Sequence, residues 1–207
     1  MEKIISALFK VESEGYQALT ELKNAPVSDK YVVSQAVLVK KENGRIRTLD
    51  AFDTGLETGN DTLTGGLIGG LVGILGGPIG MLLGGSLGAL TGSAIDTGDA
   101  IQNATLIEKI TDQFVDGEVV LIALEQEAEE GAAQKMLSKF DATIVEDDAA
   151  EVADEVERAM EAQLEMERQA RAKLREAKKE DFKKSIEEKR AKLAANFEAF
   201  KAKFKKA

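Results

Sequence analysis

Thr62-Leu63-Thr64-Gly65-Gly66-Leu67-Ile68-Gly69-Gly70-Leu71-Val72-Gly73-Ile74-Leu75-Gly76-Gly77-Pro78-Ile79-Gly80, running on through Leu83-Gly84, Leu87-Gly88 and Thr91-Gly92 to Ile95, is the stretch that decides the architecture. These 34 residues carry no charge and hold twelve of the chain's 19 glycines. Gly65, Gly69, Gly73 and Gly77 form one ladder with a period of four; Gly76, Gly80, Gly84, Gly88 and Gly92 form another. A period of four sets small residues on one helical face. Gly76-Gly77-Pro78 breaks the run into two arms, so a helical hairpin is predicted over 61–97. Each glycine inside a helix costs about 0.8–1.0 kcal/mol relative to alanine, and the run needs compensation. Repeated Gly-x-x-x-Gly contacts, with backbones in close approach, offset that cost.

Three settings fit such a hairpin: a membrane, the space between subunits of a homo-oligomer, or the core of its own domain. Each arm has roughly 15–18 residues and reaches about 22–27 Å, slightly short of a hydrocarbon core of about 30 Å. Large residues, among them Leu67, Ile68, Leu71, Ile74, Leu75, Leu82 and Leu87, fill the other faces. They cover more surface than one small domain is expected to hide, which favours lipid or sister chains. The expected self-association face is Gly65, Gly69, Gly73, Gly80, Gly84, Gly88 and Gly92.

Upstream, residues 4–9 are a short apolar strand and 12–24 switch to helical spacing, stopped by Pro26. Residues 31–39 read as a strand rich in Val and Tyr. Asn43-Gly44 is a two-residue hairpin signal, and 45–52 return. Downstream, 100–114 are a helix ended by Asp116-Gly117, 118–124 a buried strand, 129–140 a helix and 142–145 a last short strand. Ala7-Leu8 with Glu14-Gly15 recurs at the same spacing as Ala123-Leu124 with Glu130-Gly131, suggesting two related βα units. The expected fold is α+β: a ferredoxin-like sandwich with helices on one face of an antiparallel sheet, interrupted by the glycine-zipper hairpin and followed by a long C-terminal helix. Its parts are 1–60 and 98–147 for the α+β domain, 61–97 for the hairpin and 148–207 for the tail.

From 148 to 206 the chain has neither Pro nor Gly, and Ala, Glu, Lys and Arg dominate. Phe182, Ile186, Leu193, Phe197, Phe200 and Phe204 form a narrow apolar stripe, nearer to a coiled-coil seam than to a globular core face. Charge is segregated. Residues 1–147 have a net charge of −12, 148–167 of −7 and 168–207 of +9, within an overall −10. An acidic body with a basic end suggests an interaction tail. It can pair antiparallel with a second copy, lie on a neighbour's acidic body, or rest on anionic lipid. Neither a base-stacking platform nor a recognition motif points to nucleic acid.

The quoted glycine run, with Asp50-Ala51-Phe52-Asp53-Thr54-Gly55 before it, resembles the bacterial family catalogued as domain of unknown function 1269, over roughly residues 1–150. Its members are usually labelled predicted membrane or stress-associated proteins. The resemblance implies a small α+β domain interrupted by an apolar hairpin, and it lends no catalytic residues.

The chain has no His and no Cys, which excludes His-based triads, thiol nucleophiles, disulfides and haem ligation by either. Asp53-Thr54-Gly55 and Asp96-Thr97-Gly98 superficially suggest an aspartic protease, which needs two carboxylates sharing a proton. Leu56 and Asp99 stand where such motifs take a small residue, and the two triplets bracket the hairpin as turn and cap residues. A hard-cation site from Asp50, Asp53, Asp96 and Asp99 lacks any EF-hand spacing. Phosphate loops of the Walker type and dinucleotide fingerprints are absent. The expectation is a non-enzymatic structural or interaction protein that uses no cofactor and has itself as partner, with anionic lipid as a further contact. The charged start, Met1-Glu2-Lys3, is unlike a signal peptide. It suggests the cytoplasm, at the inner face of a bacterial membrane. The alternative is a soluble homo-oligomer or small-ligand sensor with the hairpin buried between subunits.

Overall fold

The structure, a computed structural model, describes residues 2–55, 66–80 and 104–204, with side chains as far as 193. Contacts divide the chain into residues 1–163 and 164–207. The first unit is α+β. Its strands are β1 (Glu2–Phe9), β2 (Tyr31–Glu42), β3 (Arg45–Asp53), β4 (Val119–Glu127) and β5 (Ala142–Asp148). They form one antiparallel sheet in the order β3-β2-β4-β1-β5. The helices are α1 (Glu12–Asn24), α2 (Gly66–Leu75), α3 (Leu106–Gln113), α4 (Ala132–Leu137) and α5 (Ala149–Phe204).

Local chemistry explains the elements. Asn43 (φ 53°) and Gly44 (φ 71°) both take the positive φ that a two-residue hairpin turn needs. The β2–β3 ladder then runs from Glu42↔Arg45 to Gln35↔Asp53, with Leu49 as an extra residue between the Val39↔Thr48 and Leu38↔Asp50 pairs. Such a bulge bends an edge strand and makes it a poorer template for further pairing. Within α1, Gly15 lies against the sheet so closely that a Cβ would stand 2.7 Å from Val119 Cγ2 and 3.0 Å from Leu38 Cδ1.

The strand centres are apolar on both faces, which is where the architecture departs from a one-sided sandwich. Ile5, Ala7 and Phe9 of β1 and Val119, Leu121 and Ala123 of β4 face α1 and α4, through Ala18, Leu19, Leu22, Ala133 and Leu137. Ile4 and Leu8, with Val120, Ile122 and Leu124, face the opposite way. That second face is covered by α2, α3 and the first turns of α5, through Leu71, Ile74, Ile107, Ile110, Val152 and Val156. A sheet buried on both sides reads as continuous apolar runs rather than alternation, and Val119 to Leu124 is such a run.

The first arm of the glycine run therefore does not follow the expectation that its large residues are hidden by lipid or sister chains. Leu67, Ile68, Leu71, Ile74 and Leu75 are all buried in the core of their own chain. The reason is that the second sheet face needs a cover, and α2 provides part of it. The helix ends where Gly76 and Gly77 donate back to the carbonyls of Val72 and Ile74. The second arm beyond residue 80 and Gly65 lie outside the described residues, as does the Asp96-Thr97-Gly98 triplet. Among the described residues no helix is long and apolar enough to cross a membrane.

In the second unit α5 continues as a helix, with Glu165 accepting from Gln169 and Glu167 pairing with Arg171 one turn on. A Leu71→Ala change in the full chain in detergent-free buffer is expected to lower stability by about 2–5 kcal/mol. Urea unfolding checks it; an unchanged midpoint would show that α2 does not pack on the sheet.

Candidate functional site

Two kinds of feature stand out: surfaces without a partner, and buried carboxylates. The outward face of α2 carries Gly69 and Gly73. Both are exposed, and a Cβ at either would meet no atom within 4 Å among the described residues. Beside Gly69 lies a cavity of about 480 Å³ between α2 and the β2–β3 edge, lined by Val37, Ala51, Phe52, Ile68 and Val72 among others. Gly66 is likewise exposed and open, whereas Gly70 and Gly80 meet neighbours. A Cβ at Gly70 would stand 2.7 Å from Val156 Cγ1 and 3.3 Å from Met160 Cε, so this glycine lets α2 and the root of α5 touch. Gly80 is buried, and a Cβ there would collide with the carbonyl oxygens of Ile74 and Leu75. Gly84, Gly88 and Gly92 lie outside the described residues.

On the second unit the described part of the apolar stripe is largely exposed. Leu174 is 60%, Phe182 68% and Leu193 75% exposed, and Ile186 is half-buried. With 3.6 residues per turn, these four fall within about 120° of one helix face. Phe197, Phe200 and Phe204 continue the helical backbone.

Asp53-Thr54-Gly55 is a turn. Asp53 Oδ1 accepts from the Gly55 amide at 2.7 Å, its Oδ2 accepts from Gln35 Nε2 at 2.6 Å, and Thr54 Oγ1 donates to the Ser34 carbonyl at 3.0 Å. Gly55 has φ +67°, as a turn of this kind requires. Asp50 pairs with Lys23 at 3.3 Å.

Glu155 is a buried carboxylate with a structural task. Its oxygens accept from the amides of Leu106 and Ile107, both at 3.2 Å. Thr105 and Glu108 complete a reciprocal capping box, so every amide from Thr105 to Glu108 is satisfied. Burial pushes the Glu155 carboxyl above its ordinary value, while hydrogen bonds from Thr105, Ile107 and Leu106 oppose that shift. A cavity of about 370 Å³ alongside is lined by charges of both signs, including Lys109, Asp147, Asp154 and Arg158. Lys109 is already committed to Asp147 at 2.9 Å.

Glu125 is the other buried carboxylate. It is fully buried on β4, and neither carboxylate oxygen has a hydrogen-bond partner. Burial pushes its carboxyl up to about 8, the neighbouring Glu127 and Glu146 charges push the same way, and Lys3 opposes them. Lys3 stands directly across the β1–β4 ladder from Glu125. Its ammonium hydrogen-bonds Glu146 on β5 and lies 3.6 Å from Glu127. Glu127 is otherwise occupied, accepting from the amides of Gly131 and Ala133 at the start of α4. Neither Glu125 nor Glu155 was singled out from sequence. A signal for Glu125 was available: it directly continues the apolar run from Val119 to Leu124, which is buried on both faces of the sheet.

A family model described as Protein of unknown function (DUF1269) matches residues 62–165, half of the chain. The match takes in α2, α3, β4, α4, β5 and the root of α5. It begins later and ends later than the 1–150 span of the resemblance, leaving out the Asp50–Gly55 segment. No curated protein and no solved structure matches the chain.

The folded state holds a proton on Glu125 that an unfolded chain, with a carboxyl near 4.5, has already lost. Stability is therefore expected to fall as pH rises from about 4.5 to about 8 and to level off above that. Melting temperatures across this range check it: Glu125→Gln should be flatter than wild type and relatively more stable at the alkaline end. Parallel profiles for the two proteins would refute the assignment.

Proposed function

The chain belongs to the DUF1269 family, and on that premise we propose that it is a non-enzymatic protein that self-associates through the stripe of its C-terminal helix and the outward face of α2. The carrying observation is the bare stripe of Leu174, Phe182 and Leu193, the most exposed large apolar side chains among the described residues of the second unit. Burying such a side chain contributes about 1.5–3 kcal/mol. Two copies bring two sets, enough to rival an association cost of about 4–15 kcal/mol. Charge supports the same partner: an acidic start to the tail, net −7 over 148–167, complements a basic end, net +9 over 168–207. An antiparallel pair with its ends aligned sets the acidic 148–167 of one copy against the basic 188–207 of the other. Gly69 and Gly73 support a second contact, since a neighbouring backbone can approach them closely.

We also propose that the domain is a ferredoxin-like sandwich carrying the glycine zipper as an insertion. The order β2-β4-β1-β5, with α1 and α4 on one face, supports this reading once β3 and the segment between β3 and β4 are set aside. A second functional reading is contact of the tail with anionic lipid at the cytoplasmic face of a membrane. It is supported by 15 cationic side chains among residues 168–207 flanking the Phe-rich stripe.

The test is particle mass of the full chain in detergent-free buffer, with flotation on anionic vesicles from the same sample. Self-association predicts a mass at least twice the 22.2 kDa of one chain. A Phe182→Asp, Leu193→Asp double variant should return it to one chain's mass without loss of the folded body. Gly69→Leu should weaken association while leaving the melting temperature near wild type, because the position is open. A wild-type protein of single-chain mass overturns the proposal, and flotation of that species transfers the tail to lipid.

A further inference from the structure

We infer that Glu125 is the proton-binding centre of a switch that decides whether Lys3 holds the edge strand β5. The geometry begins with a carboxyl group fully enclosed, both of its oxygens lacking a donor. A buried group in that condition is tolerated as the neutral acid and costly as the anion. The charged and titratable groups around it come from every strand on that side. Lys3 is contributed by β1, Glu127 by β4, Glu146 by β5 and Tyr31 by β2, with Glu130 beyond the end of β4. Glu21 of α1 and Lys139 beyond α4 act on Tyr31 at the margin. Tyr31 itself is held above its ordinary value, chiefly by burial.

Lys3 is the cation that faces Glu125, and at present it serves others. It donates to Glu146 and lies close to Glu127. While Glu125 keeps its proton, that arrangement needs no change. When the proton leaves to solvent, a bare anion is left inside the sheet, and the ammonium directly across the ladder is the group able to compensate it. Directly opposite residues on one sheet face are about 4.5–5.5 Å apart at Cβ, so a rotamer change of a four-carbon side chain is sufficient. The move takes the hydrogen bond away from Glu146.

The effect falls on β5 because, among the described residues, that strand pairs with β1 alone. Its side-chain ion pairs among the described residues are Lys3–Glu146 and Lys109–Asp147, and Asp148 accepts from the amides of Ala150 and Glu151 at the start of α5. β5 also passes straight into α5, from Asp148 to Ala149, with no linker. Loss of one proton at the sheet centre is thereby read at the strand that roots the long helix. The coupling does not depend on self-association, so its failure and the failure of that proposal are separable.

The test is a titration of the uniformly carbon-13 and nitrogen-15 labelled full chain from about pH 6 to about 9.5, following the Glu125 and Glu146 carboxyl carbons and the amides of 142–148. The expected result is a Glu125 carboxyl midpoint near 8, with the β5 amides moving at the same midpoint. Glu125→Gln should abolish the β5 transition. Glu146→Gln should leave Glu125 titrating while β5 no longer follows, and this variant decides the matter if Glu125→Gln does not fold. A Glu125 midpoint below about 6, β5 amides that ignore the transition, or a β5 transition that survives either substitution overturns the switch.

Discussion

Everything in the first unit follows from β1 and β4 lying side by side with no polar face to offer water. Ile4, Ile5, Ala7, Phe9 and the six residues from Val119 to Leu124 are all essentially removed from solvent. A strand pair of that composition has to be covered twice. α1 and α4 arrive on one side by short connections, each from the strand before it. The other side is covered by three helices from separate parts of the chain: α2, α3 just before β4, and the root of α5 directly after β5. The outer strands β3 and β5 flank this doubly covered centre.

Seen this way, the glycine-rich arm is less a detached rod than half of a lid. Its apolar side chains interlock with the sheet while its smallest residues divide between two duties. Gly70 admits Val156 and Met160 of α5, and Gly69 and Gly73 leave the outer surface flat. A helix apolar all round gives no periodic hint as to which face turns inward. That is why the inward packing of α2 could not be read from residues 66–75, whereas the break at Gly76-Gly77 could. The same limit explains the expectation of a one-sided sandwich: continuous apolar runs signal a buried strand without saying what buries it.

Other parts were legible because their signals are local. Asn43-Gly44 named its own turn, Pro26 stopped α1, and the absence of Pro and Gly after residue 148 foretold a single helix. The stripe of Phe182, Ile186 and Leu193 was visible in the sequence because its spacing is helical and local. Glu125 escaped notice for a different reason. Carboxylates on a strand near its end pass as solvent-facing, and the one mark on this residue is that it directly continues the apolar run from Val119 to Leu124. Glu155 has no such mark. Its role depends on a helix start 49 residues earlier in the chain coming to rest beside it, a meeting that tertiary packing alone creates.

The touch between Gly70 and Val156 has a mechanical meaning. With no Cβ between them, the two helices share a bearing surface without slack, and closely packed interiors transmit strain rather than absorb it. Any load applied to the flat outer side of α2 is thus borne in part by the first turns of α5, the way a hinge plate passes force to its pin. A methyl group there would stand 2.7 Å from Val156 Cγ1 and force the plate or the pin to shift, and the family match, which takes in α2 and the root of α5, covers both sides of the contact.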